Sequence, residues 1–126
     1  MDRFIDFYTR DTFSRVWLKQ IVFFSADKNY TLLQLNSGKK LVFTFSLKKM
    51  EEYLKMQLED YADMFVRIGK SHIVNLHYVF QMDIVKQKLI LLDHDSQRDF
   101  VLDVSKESLK NFRNLFASQY NIIQND

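Results

Sequence analysis

A mainly β domain of small antiparallel sheets with about two short helices is the fold class the sequence predicts. Three observations carry it. Short segments rich in Val, Ile, Leu and Phe recur between polar, turn-prone stretches. Two stretches stand out for apolar residues at three- and four-residue steps, and each follows a serine suited to helix capping, Ser46 and Ser105. The chain of 126 residues is 47% hydrophobic with 12 Phe but holds only 2 Gly and no Pro, so it has a bulky core and no flexible linker.

In chain order, Ile5, Tyr8 and Thr12 or Phe13 fall near helical spacing, which predicts a short N-terminal helix docked by its apolar side. Arg15 to Lys19 and Gln20 to Phe24 read as two strand segments. Ser25 to Asn29 is a polar turn, and Tyr30 to Leu35 resumes as a strand. Asn36-Ser37-Gly38-Lys39 is a hairpin signal, because Asn and Gly tolerate positive φ. Leu41, Phe43 and Phe45 alternate with Val42 and Thr44 as a half-buried strand. Ser46 caps a helix with Leu47, Met50, Leu54 and Leu58 on its inner face, in an incomplete capping box because Lys49 stands where an acid or amide would reach back. Tyr61 and Met64 extend that face.

Phe65 to Asn75 follows as two apolar segments around a polar knot of Arg67, Gly69, Lys70, Ser71 and His72: two strands with a cationic tip. Tyr78 to Met82, Ile84 to Lys86 and Lys88 to Leu92 read as further strands, and Asp93 to Gln97 as the turn into Phe100, Leu102 and Val104. Ser105 caps a last helix with Leu109, Phe112 and Leu115 or Phe116 at its core face, and the tail after Ser118 is expected to fray. Tyr30 is expected to pack with its hydroxyl at the surface, and Asn75 to satisfy backbone groups at a strand end.

Composition excludes several functions. Without Cys there is no disulfide framework and no Cys-ligated metal or cluster, as expected of a reducing compartment. The N-terminus carries Asp2, Arg3, Asp6, Arg10 and Asp11 among its apolar residues, which is no secretory leader, and no apolar run has membrane-spanning length. The expected location is cytoplasmic, without membrane insertion. No nucleophile elbow, glycine-rich phosphate loop or paired-carboxylate motif marks an enzyme. His72, His77 and His94 fit no metal-ligand spacing, and neither a metal nor another cofactor is expected.

The net charge is +2, with a pI near 8.8. Ser46 to Asp63 holds three Lys against five acids, so this segment stands at −2 and the rest of the chain at +4. That segregation suits a surface facing phosphate and equally suits ordinary solvated faces. The candidate contact residues are the polar ones that interrupt strands: Lys28 and Asn29, Arg67 and Lys70, and Lys106. Asn offers a donor and an acceptor to a base edge, and Lys suits phosphate or guanine acceptors. Spacing alone leaves them as three separate turns.

Taken together, Asn29-Tyr30-Thr31, Ser46 to Glu52, Phe65 to Asn75 and Val104-Ser105-Lys106 resemble, in order and spacing, the LytTR family of bacterial DNA-binding domains. The resemblance runs from about Arg15 to about Phe116. It divides the chain into an N-terminal extension at 1–14, a LytTR-like domain at 15–118 and a C-terminal tail at 119–126. It implies an elongated arrangement of small antiparallel β-sheets whose loops enter the grooves of double-stranded DNA, and thus a transcriptional regulator. By motif position it implies DNA contacts at Asn29, Lys70 and Lys106, supported by Lys28, Arg67, Ser71 and Ser105. It further implies a homodimer on repeated sites, and control through a receiver domain, a regulatory partner protein or a sensor kinase system. Two departures stand out: Gly69 where the family commonly has His, and Ser25 in place of an acid before the first DNA loop. A protein-interaction module that keeps the fold without DNA affinity is the alternative, and an exposed aromatic patch in the N-terminal segment would favour it.

Overall fold

In a computed structural model, residues 3–117 are described. Among these residues ten strands form three antiparallel sheets, joined by two α-helices. Strands β1 (Phe4–Tyr8) and β2 (Phe13–Trp17) make a two-stranded hairpin. Strands β3 (Ile21–Asp27), β4 (Tyr30–Leu35), β5 (Lys40–Phe43), β6 (Phe65–Ile68) and β7 (His72–Asn75) form a five-stranded sheet in the order β5-β4-β3-β7-β6. Strands β8 (Val79–Asp83), β9 (Lys88–Asp93) and β10 (Arg98–Asp103) form the third sheet. Helix α1 (Leu47–Leu58) follows β5, and α2 (Lys106–Ala117) ends the described chain.

The central sheet is the wall between two apolar cores. On one side Ile5, Phe7 and Val16 of the hairpin and Leu47, Met50, Leu54 and Leu58 of α1 pack with Ile21, Phe24, Leu33 and Ile73. On the other, Leu89 and Leu91 of β9 and Leu109 and Phe112 of α2 pack with Val22, Phe23, Ile68 and Val74. Strand β3 feeds both cores, and for that reason Ile21 to Phe24 is an unbroken apolar run rather than an alternating one. Each helix begins as its serine predicts. Ser46 Oγ accepts the Lys49 amide at 3.2 Å, and Ser105 Oγ accepts the Ser108 amide at 3.2 Å.

Two sequence-based expectations are corrected. Residues 4–8 form a strand, not a helix: Ile5 and Phe7 point into the core while Phe4, Asp6 and Tyr8 point outward, paired with Trp17, Arg15 and Phe13. The period of two was hidden because two of the three outward positions, Phe4 and Tyr8, are themselves aromatic. Ile84 to Lys86 is a turn, closed by the Lys86 amide donating to Asp83 Oδ1 at 2.9 Å and by Gln87 at φ 55°. Smaller shifts occur elsewhere. A 3₁₀ turn at Leu18–Gln20 separates β2 from β3, β3 runs on to Asp27, and β5 stops at Phe43. The tail after Ser118 lies outside the described residues.

Candidate nucleic-acid interface

Backbone register brings the candidate residues together. Asp27 pairs with Tyr30, so Lys28 and Asn29 are the whole of the β3–β4 turn, with Lys28 in the left-handed region at φ 57°. Ile68 pairs with His72, leaving Gly69, Lys70 and Ser71 as the β6–β7 turn. Strands β3 and β7 run antiparallel with Ser25 opposite His72, which places both turns at one end of the sheet. The Ala26 amide donates to the Ser71 carbonyl at 2.9 Å and ties one turn to the other.

The β6–β7 turn is moulded from within. Arg67 donates from Nε to the Gly69 carbonyl and from Nη2 to the Lys70 carbonyl, each at 3.1 Å, and its Nη1 reaches Glu51 Oε1 on α1 at 3.1 Å. All three guanidinium nitrogens are therefore engaged inside the chain. Lys70 and Ser71 project from the turn that Arg67 holds, and both are exposed.

Gly69 has φ +59°, and a Cβ placed there would lie 3.0 Å from Ser108 Oγ. Glycine is thus suited twice over, by its backbone and by the close approach of α2. The same approach sets the start of α2 beside the β6–β7 turn. Ser105 caps the helix, and Lys106 stands exposed at its first residue, where backbone amides and the helix dipole favour an anion.

A fourth turn joins them, and the sequence reading missed it. The Val104 amide donates to the Gln87 carbonyl at 3.2 Å, and Lys86, Gln87 and Ser105 line one surface recess. Lys86 is exposed, and neither it nor Lys28, Lys70 or Lys106 makes an ion pair among the described residues. The Asp83 side chain binding its own turn was the available signal, obscured by reading Ile84 to Lys86 as a strand. The neighbouring Lys88 is paired with Asp103. His72, half-buried behind the turns, has its pKa lowered by burial, partly opposed by Asp103.

The opposite end of the sheet is closed by hydrogen bonds. Asn75 is fully buried; its Nδ2 donates to the carbonyls of Ile21 at 2.8 Å and Leu18 at 3.4 Å, and its Oδ1 accepts the His77 amide at 3.0 Å, as expected of a strand-end residue. The Tyr78 hydroxyl donates to the Lys19 carbonyl, and burial pushes its pKa up to about 12. Arg98 Nη1 donates to the Asn36 carbonyl at 2.9 Å. Three acids, Asp60, Asp93 and Asp95, line a cleft at this end.

One end thus carries four exposed lysines, an exposed asparagine and a helix N-terminus on short, internally braced turns. That inventory can neutralise phosphates and reach base edges.

Comparison with known proteins gives the same direction. No curated protein matches the chain. A solved structure, the LytTr DNA-binding domain of a protein assigned as a methyl-accepting/DNA response regulator in Bacillus cereus, superposes with a TM-score of 0.62 at 20% identity, covering 90% of this chain and 96% of that one. At that identity the likeness shows the fold. The family model of the LytTr DNA-binding domain matches residues 11–117, most of the chain, so the protein belongs to the LytTR family of DNA-binding domains.

Proposed function

We propose that the protein binds duplex DNA sequence-specifically through the turns at one end of its central sheet and regulates transcription in the bacterial cytoplasm. The observation that supports this best is the β3/β7 register together with the Gly69–Ser108 approach, which gathers separate sequence motifs into one face. In this reading Lys28, Lys70, Lys86 and Lys106 neutralise phosphates and set register, while Asn29 and Lys70 reach base edges. Ser71 and Ser105 add hydroxyl contacts, and Arg67 acts by holding the β6–β7 turn in shape. Binding on repeated sites as a homodimer, under a regulatory partner protein or a sensor kinase system, completes the proposal. No helix among the described residues is long and apolar enough to cross a membrane.

Selection of sites from a random duplex library tests it. A repeated motif should be enriched, and affinity for the best site should fall steeply with salt. Failure of a folded sample to enrich any sequence would overturn the reading.

A further inference from the structure

The outer face of the β1–β2 hairpin is an exposed aromatic patch in the N-terminal segment, the mark of a protein-interaction surface. Three cross-strand pairs line it: Phe4 with Trp17, Asp6 with Arg15, and Tyr8 with Phe13. The four aromatics keep 41%, 38%, 80% and 51% of their surface exposed in the order Phe4, Trp17, Tyr8, Phe13. The rings already contact each other edge to face, with centroids 5.2 Å apart in both aromatic pairs. Between them Arg15 donates to Asp6 from Nε at 2.8 Å and Nη2 at 3.1 Å, and its guanidinium lies 4.1 Å from the Phe4 ring centre. An aromatic strip with one ion pair at its middle costs solubility and does nothing for the hairpin's own core, which is served by Ile5, Phe7 and Val16.

We infer that this face pairs with the same face of a second copy of the chain. Its pattern is self-complementary. A two-fold axis in the plane of contact and parallel to the strands sets Phe4 over the second copy's Trp17, Tyr8 over its Phe13, and Asp6 over its Arg15, each contact made twice. The charges then alternate across the contact instead of opposing. Two-fold rotation about the perpendicular in-plane direction would set Asp6 over Asp6, so the ion pair selects one arrangement.

Size decides how such pairing works. Five residues at about 3.4 Å each make a face about 17 Å long, and two strands give it a width of about 10 Å, far short of the roughly 800 Å² per partner of a stable complex. The free protein is therefore largely monomeric at low concentration, and pairing becomes effective when something holds two copies close. The hairpin lies where that is useful. Thr9 at its tip shares a notch with Phe45, and the Phe45 carbonyl accepts the hydroxyl of Thr31 at 2.8 Å, two residues past Asn29. The aromatic face thus stands to the side of the lysine-bearing end, and two copies on adjacent DNA sites of inverted orientation, the one a two-fold contact requires, would meet through it at millimolar effective concentration. The use on DNA rests on the proposed function; the pairing itself does not.

The test needs no DNA. Sedimentation and NMR of the wild type between 10 µM and 2 mM, on the order of the concentrations a contact this small requires, should show self-association. Shifts should be confined to the hairpin face, including the indole signal of Trp17, the chain's only tryptophan. Asp6→Arg gives an all-basic face and Arg15→Glu an all-acidic one: each alone should stay monomeric, while an equimolar mixture should pair more tightly than wild type. Tyr8→Asp, at the most exposed aromatic of the face, should abolish association while costing only the small stabilisation of one exposed cross-strand ring pair, and it decides the matter if either charge variant melts early. A wild type still monomeric at 2 mM, association that survives Tyr8→Asp, or folded charge variants that do not pair on mixing would each overturn the inference. DNA affinity of the Tyr8→Asp monomer on a single site should be unchanged, which separates failure of pairing from failure of DNA binding.

Discussion

The two ends of the central sheet use the same kinds of residue for opposite purposes. At the end holding the β4–β5 turn, polar side chains are spent inside the chain. Asn75 fixes three backbone groups, Tyr78 fixes the Leu18–Gln20 turn, and Arg98 fixes Asn36. At the end holding the β3–β4 turn, Lys28, Lys70, Lys86 and Lys106 face solvent, and the Arg67 guanidinium braces a loop. The lesson is one of division: satisfied polar groups lock strand ends, and unsatisfied cations are left where a polyanion can take them.

Breaking the locked end should have the largest effect. Asn75→Ala leaves the Ile21 carbonyl and the His77 amide without a side-chain partner in a buried site, and should cost about 2–4 kcal/mol in chemical denaturation. The salt dependence of DNA binding by the remaining folded protein should not change. Lys70→Ala combined with Lys106→Ala is the converse. Stability should stay within about 0.5 kcal/mol of wild type, while DNA affinity falls about tenfold or more and the slope of log affinity against log salt drops by roughly 1.8. A loss of stability instead of affinity would erase the proposed distinction between the ends.

Gly69→Ala sits between the two cases. Positive φ and the 3.0 Å approach to Ser108 Oγ predict a loss of about 1–2 kcal/mol, and adding Ser108→Ala should recover part of it by removing the nearer atom. The smallest effect is that of acid on His72. Its folded pKa is lowered by burial, so the unfolded chain takes up the proton more readily, and stability present above about pH 6.5 declines as pH falls through the lowered value. His72→Gln should flatten that part of a plot of stability against pH.

Local chemistry made much of this legible. Ser46 and Ser105 announce their helices, Asn36 to Lys39 announces its hairpin, and the polar knot of 67–72 reads as a tip between strands because apolar residues flank it. Convergence was not legible. The turns bearing Lys28 and Lys70 share one end of the sheet only through the pairing of Ser25 with His72, 47 positions away, and α2 joins them only because Gly69 lets Ser108 approach. Arg67 looks like a DNA contact by charge and position, but its carboxylate partner Glu51 lies on a helix 16 residues earlier. The first strand of the hairpin, Phe4–Tyr8, escaped because its solvent face is largely aromatic, so polarity and burial part company there, whereas Arg15 to Trp17 of the second strand was legible.

Strand β3 has neighbours on both edges and a core on each face, so its amides should be the last to exchange with solvent, opening only when the whole domain unfolds. The turn bearing Lys28 and Asn29 grows directly from that strand. The turn is thus ordered when the domain folds, and on the proposed DNA contact little further ordering would oppose binding.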